Sequence, residues 1–396
     1  MADKFGFVGL KDVCTFYTGT GFPTKYQGKE RGKYPFYKVG DISKNAQAGN
    51  KYLQLCDNFV DDEDVDAIKG NVIPPNTIVF AKIGEAVKLN RRAITETYCL
   101  VDNNVMGIAP DESELSLDYF YYFMRNLKME TFAESTTVPS VRKSRLEELK
   151  IQVPTLDIQE RICKKLNSTE RIMVKRRQQL EELDTLIKAR FVEMFGDPVE
   201  NPMGWDKKQL QQVVTDDCTI SYGIVQTGDE QQDGIPVFRP IDIVNRVPKL
   251  EELKRTTVEI SNKYKKTLLK GRELLITVRA NIADTCIVGE EFVGCNVGRG
   301  IVPLRTDESI IVLEFLKCLL DNKHLNDNIR SKAKGITLIQ LNMEDLREVE
   351  LIIPPVNMQN EFVDFVTQVD KLKVAVQESL NEAQTLFDSL MQEYFG

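Results

Sequence analysis

From Leu166 onward the chain places its seam residues at alternating steps of three and four: Leu166, Thr169, Met173, Arg176, Leu180, Leu183, Ile187, Arg190 and Met194. The same rhythm returns in Val366, Val369, Lys373, Val376, Leu380, Ala383, Phe387, Leu390 and Tyr394. A mostly apolar 3/4 repeat predicts a helix that turns one seam towards a partner helix, as in a coiled coil. Asp157 and Asn357 supply N-cap side chains after an extended proline segment, and Glu160 would complete a capping box in the first copy. Gly196 and Gly396 supply the stops. The thirty-nine residues 157–195 would span about 58 Å. Helices this polar need a partner to be stable.

The two helical stretches are copies of one another. Residues 151–196 return as 351–396 without a gap, at a constant offset of 200: Pro154 answers Pro354, Gln159 answers Gln359, Leu186 answers Leu386 and Phe195 answers Phe395. The chain is therefore a duplication, read as a variable block at 1–153, a long helix at 154–200, a second block at 201–353 and a second helix at 354–396. The first helix delivers the chain to the second block and the second helix starts there. Packing one on the other makes the pair antiparallel and gives the molecule a pseudo-two-fold internal repeat. The expected contact residues are Leu166, Met173, Leu180, Leu183 and Ile187 against Val366, Val369, Val376, Leu380, Phe387 and Leu390. Charge favours the pairing, with nine basic against seven acidic side chains in 154–196 and two against seven in 354–396. The alternative is that each helix packs separately on its own block.

Each block mixes short strand-like runs with turns and one helix, so the fold class is α+β. The first has runs at 34–39, 77–83 and 98–102 and an aromatic helical stretch at 117–131. The second keeps the order. Residues 235–239 with Asp242 mirror 35–38 with Asp41, 273–279 mirror 77–82, 295–297 mirror 103–105, and 313–320 mirror the aromatic helix. A scaffold repeated under divergent side chains suits two different recognition surfaces.

Composition narrows the chemistry. The single histidine, His324, excludes His-based triads and HExxH zinc sites. Eight scattered cysteines without a CxxC pair read as reduced thiols. Neither a GxxxxGK[ST] loop nor an N/D-P-P-Y/F motif occurs, so no nucleotide or methyl-donor site is expected in this chain. Without a long apolar run or a signal-peptide core in MADKFGFVGL, a soluble, cytoplasmic protein with no membrane partner is expected. The net charge of −8 hides basic clusters beside turns. Cations on loops suit a phosphate backbone, and arginine can also read guanine. The candidates for base contacts are Lys82, Arg91, Arg279 and Arg299, with Arg92 beside them; Lys25, Lys332 and Lys334 are candidates for phosphates. Lys82 and Arg279 stand at matched places.

In this arrangement the chain resembles the specificity (S) subunit of type I restriction-modification systems. The motif that carries the resemblance is strand-Pro-x-x-x-x-Gln-x-x-Ile/Phe at the start of each long helix: 151–154 through Gln159 to Ile162, and 351–354 through Gln359 to Phe362. A small, Thr-rich loop precedes each strand (Ser135 to Pro139; Lys334 to Thr337). A basic residue with glycine follows the central strand in Lys82-Ile83-Gly84, whereas Arg279-Ala280-Asn281 lacks the glycine and is expected to bend differently. The resemblance implies two target-recognition domains, each reading one half of a bipartite site in double-stranded DNA, with the helix pair setting the gap. It implies no active site in this chain. Two methyltransferase (M) subunits carrying S-adenosylmethionine would dock on the outward helix faces and methylate adenine, and restriction (R) subunits would bring ATP and Mg. The other readings are a coiled-coil scaffold for non-DNA partners, a silent cassette, or a fused restriction-methyltransferase.

Overall fold

The structure is a computed structural model of the 396-residue chain and describes residues 6–134, 138–243, 248–335 and 339–396. The chain divides into two compact units. Unit 1 is Met1–Arg177 with Glu378–Gly396, and unit 2 is Gln178–Gln377. Each long helix thus contributes one end to each unit.

The helices run Leu156–Phe195 and Val356–Phe395, 40 residues each. Their N-caps stand two residues before the expected Asp157 and Asn357. The Thr155 carbonyl accepts the Ile158 and Gln159 N–H groups (2.9 and 3.0 Å), and the Pro355 carbonyl accepts those of Met358 and Gln359 (2.9 and 3.2 Å). Thr155 and Pro355 are therefore the caps, and Asp157 and Asn357 lie inside the first turn. Asp157 there meets the positive end of the helix dipole. The expected capping box does not form: Glu160 pairs with Lys164 at 2.8 Å instead. At its far end the first helix stops at Gly196, in left-handed conformation (φ +73°).

What fixes the helix start is the motif glutamine. Gln159 is fully buried. Its Oε1 accepts the Ser116 N–H (2.8 Å) and its Nε2 donates to the Glu114 and Pro154 carbonyls (both 2.8 Å). Gln359 repeats this bond for bond, accepting from Val312 N–H (2.9 Å) and donating to Ile310 (3.1 Å) and Pro354 (2.8 Å). Only an amide carries both the acceptor and the donors this needs. The bonds tie the first turn of each long helix to the loop before the short core helix, Leu117–Asn126 in unit 1 and Leu313–Asp321 in unit 2.

Within each unit the helix ends pack antiparallel. In unit 1, Arg176 Nε donates to Ser379 Oγ (3.1 Å) and Lys165 Nζ to Tyr394 Oη (3.2 Å), so one number rises as the other falls. Unit 2 shows the same order in Arg190–Glu361 (2.9 Å) and Lys373–Asp184 (2.7 Å). Of the expected contact residues, Leu166, Met173 and Phe387 are buried in one core with Leu380 and Leu390 packed on it, and Ile187 and Val366 pack on the core of unit 2. Val369 is buried, and Leu180, Leu183 and Val376 are half-buried. Partly exposed ion pairs contribute at most about 1 kcal/mol each, so apolar packing holds the seam.

Packing around the helix tails is also duplicated. Phe395 lies against Tyr119 and Phe123 of the short helix (ring centroids 5.0 and 6.4 Å), and Phe387 lies 6.2 Å from Tyr122. In unit 2, Phe195 meets Phe315 at 4.9 Å and Phe362 at 5.6 Å, with Phe191 completing the cluster.

The strands follow one plan. In unit 1 an antiparallel sheet has the order Cys14–Thr18, Val105–Pro110, Ile78–Ala81, Arg92–Ile94. A small mixed sheet joins Phe59–Val60, Tyr34–Tyr37 and Leu100–Val101, and Phe7–Gly9 pairs with Lys150–Gln152. Unit 2 matches with Ile301–Leu304, Glu273–Thr277 and Thr285–Val288, then Lys254–Thr256, Ile235–Phe238 and Asn296–Val297, then Lys207–Gln209 with Glu350–Ile352. The edge strand Cys14–Thr18 shrinks in unit 2 to the single bridge Val214–Thr306.

Candidate nucleic-acid interface

Backbone pairing gives the true correspondence between the units. In unit 1, Lys82 N–H bonds to the Asn104 carbonyl (2.8 Å), Val141 N–H bonds to the Lys82 carbonyl (2.8 Å), Ile83 bridges Ser140, and Glu134 N–H bonds to the Ser140 carbonyl (3.1 Å). In unit 2, Val278 N–H bonds to Gly300 (2.8 Å), Leu341 N–H to Val278 (2.9 Å), Arg279 bridges Gln340, and Lys334 N–H bonds to the Gln340 carbonyl (2.9 Å). Lys82 is thus matched by Val278, a core residue, and Arg279 by Ile83. The expected match of Lys82 with Arg279 is off by one place. The same pairing corrects a second expectation: Asn296–Val297 answers Leu100–Val101, because both run parallel to the strand at 34–37 or 235–238. The mirror of Asp41 and Asp242 does form. Each is buried and accepts the N–H of the residue three before it, Lys38 at 2.8 Å and Arg239 at 2.7 Å.

On this common frame the side chains differ in kind. Unit 2 presents Arg279, Arg299, Gln340 and Lys334, where unit 1 has Ile83, Asn103, Ser140 and Glu134. Arg279 is half-buried and Arg299 and Lys334 are exposed. Glu134 instead binds Arg142 (2.5 Å) and reaches Arg145 (3.8 Å). The missing glycine in unit 2 does not abolish the positive φ: Gly84 has φ +85° and Ala280 φ +60°. Beside Ala280 a cleft of about 440 Å³ is lined by Asn281, Ile282, Asp284, Arg330 and Ile339.

The remaining cations sort by partner. Lys88, Lys263, Lys270, Arg272 and Arg330 are ion-paired to Glu85, Glu259, Asp217, Glu308 with Glu314, and Asp284. In the loop at 18–33, Lys29 binds Asp64 and Lys33 binds Asp62, and these bonds raise both lysine pKa values. Among the described residues, no carboxylate lies within 4 Å of Lys25, Lys82, Arg91, Arg279, Arg299, Lys332 or Lys334; Lys25 sits 4.5 Å over the Tyr26 ring.

Arg92, expected beside the base contacts, lies inside its unit. It is 6 % exposed, on the strand Arg92–Ile94, and its Nη2 donates to the Leu127 carbonyl (2.8 Å) and Asn90 Oδ1 (3.0 Å). Burial pushes its pKa down to about 10. Its bonds hold the loops at 90 and 127 together inside the unit, not at the surface where a DNA contact was expected. Sequence reasoning also passed over Gln340, whose sole signal is its place 200 residues after Ser140, beside the same strand. The Thr-rich loops expected at 135–139 and 334–337 lie partly outside the described residues.

All eight cysteines are free thiols. Among the described residues, no cluster of His, Cys, Asp and Glu could hold a metal, and no helix is long and apolar enough to cross a membrane.

Two mixed domains, each joined to a long helix through the same Gln staple, make up the chain. The family description "Type I restriction modification DNA specificity domain" matches twice, over residues 2–183 and 202–383, and the chain belongs to this family. It is 22 % identical to the type I restriction enzyme EcoBI specificity subunit of Escherichia coli, covering 98 % of this chain and 84 % of that one. It is 21 % identical to the MjaIX specificity subunit of Methanocaldococcus jannaschii, covering 96 % and 90 %. Among solved structures, the S subunit of a type I system from M. genitalium aligns over 100 % of this chain and 98 % of its own, with a TM-score of 0.56 and 14 % identity. A chain from a structure describing complex assembly and conformational transition of the type I R-M system aligns over 100 % and 98 %, with a TM-score of 0.65 and 18 % identity. These likenesses confirm the fold.

Proposed function

We propose that this chain is the sequence-reading subunit of a type I restriction-modification complex and makes or breaks no bond itself. Each unit reads one half of a bipartite duplex target. Adenine methylation by M subunits carrying S-adenosylmethionine, and ATP- and Mg-dependent cleavage by R subunits, would follow from where this chain sits. The observation that carries the reading is the duplicated frame: one backbone pairing scheme, with Arg279, Arg299, Gln340 and Lys334 in one copy and Ile83, Asn103, Ser140 and Glu134 in the other. A scaffold for non-DNA partners gives no reason for free cations to gather at such a frame.

The helices offer a repeated surface for the M subunits. Ile172 and Leu386 in unit 1, and Leu372 and Leu186 in unit 2, stand one residue before seam positions and are 46 to 56 % exposed. Each pair recurs at the offset of 200, so two copies of one partner would meet the same apolar pair. The test is to express the chain with its M partner and map N6-methyladenine in cellular DNA. A bipartite motif whose first half changes when residues 1–153 are exchanged supports the reading; random methylation, or a motif indifferent to the exchange, refutes it.

A further inference from the structure

The frame in unit 2 contains a pair that the frame in unit 1 lacks. Arg279 and Gln340 face each other across an antiparallel bridge, and Arg279 Nε donates to Gln340 Oε1 at 2.8 Å. This bond fixes the plane of the guanidinium and leaves its two Nη groups as the free edge. Gln340 holds the guanidinium through one lone pair of its Oε1. The guanidinium therefore offers donors only, from a side chain whose orientation is set in advance.

Of the base edges in the major groove, guanine shows two adjacent acceptors, N7 and O6. Adenine sets a donor beside its acceptor, and cytosine presents a donor. A donor-only fork thus selects guanine. A phosphate is also acceptor-only, but it can be reached from many directions and does not need a fixed plane. Arg299 and Lys334, exposed and without ion pairs among the described residues, are better suited to that task. In unit 1 the matched places hold Ile83 and Ser140, which cannot form such a fork; Ile83 can touch a thymine methyl.

On the reading that each unit recognises a half-site, we infer that Arg279, with Gln340 as its positioning residue, reads a guanine in the half-site of unit 2. The matched position of the other half-site is read without an arginine.

The experiment maps N6-methyladenine in cells that express the full chain with its M partner, for wild type, Arg279→Lys, Arg279→Ala and Gln340→Ala. Arg279→Lys keeps the charge and loses the fork, and as a conservative change at a half-buried site it tests recognition without threatening the fold. The expected result is that one guanine of one half-site becomes degenerate in both Arg279 variants. Discrimination there should fall about 5- to 150-fold, the range of one good bidentate contact, with the other half-site and the gap unchanged. Gln340→Ala relaxes the same position to a smaller degree. An unaltered motif in Arg279→Lys overturns the inference. So does a fall in methylation that is equal at every sequence, which marks a phosphate contact, or relaxation within the half-site of unit 1. If wild type itself yields no bipartite motif, the functional reading fails, not the assignment of the arginine.

Discussion

Replacing Gln359 by leucine tests the account of how each long helix is anchored. The side chain is fully buried and makes three bonds, to Val312 N–H, Ile310 carbonyl and Pro354 carbonyl. Leucine fills a similar volume and makes none of them. The Val312 and Pro354 groups are buried and would be left without partners, at about 1–3 kcal/mol each, while the half-buried Ile310 carbonyl can turn to water. Relief from desolvating the amide offsets part of this, giving a loss of about 2–4 kcal/mol against a typical domain stability of about 5–15. Hydrogen exchange on the full chain, read over residues 310–320 and 351–362, should show opening favoured by about 30- to 700-fold. The matched peptides of unit 1, at 114–124 and 151–162, keep their own staple on Gln159 and should be unchanged. Gln359→Glu still accepts from Val312 but brings a charge into the core and cannot donate when ionised, so it should fare no better at neutral pH. Protection in Gln359→Leu equal to wild type would refute the staple.

Three further outcomes follow from the same geometry. Gly84→Ala should cost about 1–3 kcal/mol in denaturant unfolding through backbone strain alone: its φ of +85° with ψ −175° suits glycine, and an added Cβ would meet nothing within 4 Å. Phe387→Ala, removing a ring that is 6 % exposed, should cost about 3–5 kcal/mol and raise exchange in the short helix at Tyr122. At Asp197, burial opposes ionisation, but the Glu200 and Val199 N–H groups and His324 outweigh it and hold the carboxyl below the usual range. A depressed acid stabilises above its unfolded pKa near 3.8 and loses that contribution as pH falls through the folded value. Exchange at 197–201 should therefore rise below about pH 4, and His324→Ala should weaken that dependence.

The helical half of the fold was legible because the copies align without a gap and their apolar period states what each face must meet. The Pro-x-x-x-x-Gln motif was visible as a pattern, but its work was not: two of the three partners of Gln359, Val312 and Ile310, lie almost fifty residues upstream, in a loop without a signal of its own. The register of the readers was hidden for another reason. Ser140 and Gln340 differ by 200, but Lys82 and Val278 differ by 196, because the loops between them differ in length. Only backbone hydrogen bonds reveal such a shift where side chains have diverged. Arg92 misled because charge predicts a surface position, whereas the carbonyls of Asn90 and Leu127 receive it inside. The caps stand at Thr155 and Pro355, two residues before the expected Asp157 and Asn357, because the extended proline segment turns into helix as soon as it leaves Pro154 and Pro354.

The bond from Asn126 Nδ2 to the Phe395 carbonyl, at 2.8 Å, joins positions 269 residues apart. Unit 1 takes its closing piece, Glu378–Gly396, from beyond the whole of unit 2. During translation Tyr119, Tyr122 and Phe123 are made before the segment that covers them, Glu378–Gly396, and Gln178–Gln377 is made in between and can fold from neighbours alone. The order of synthesis and the order of completion are therefore reversed: the half made first is finished last, and a nascent chain that stalls late exposes its aromatic surface to chaperones or to aggregation.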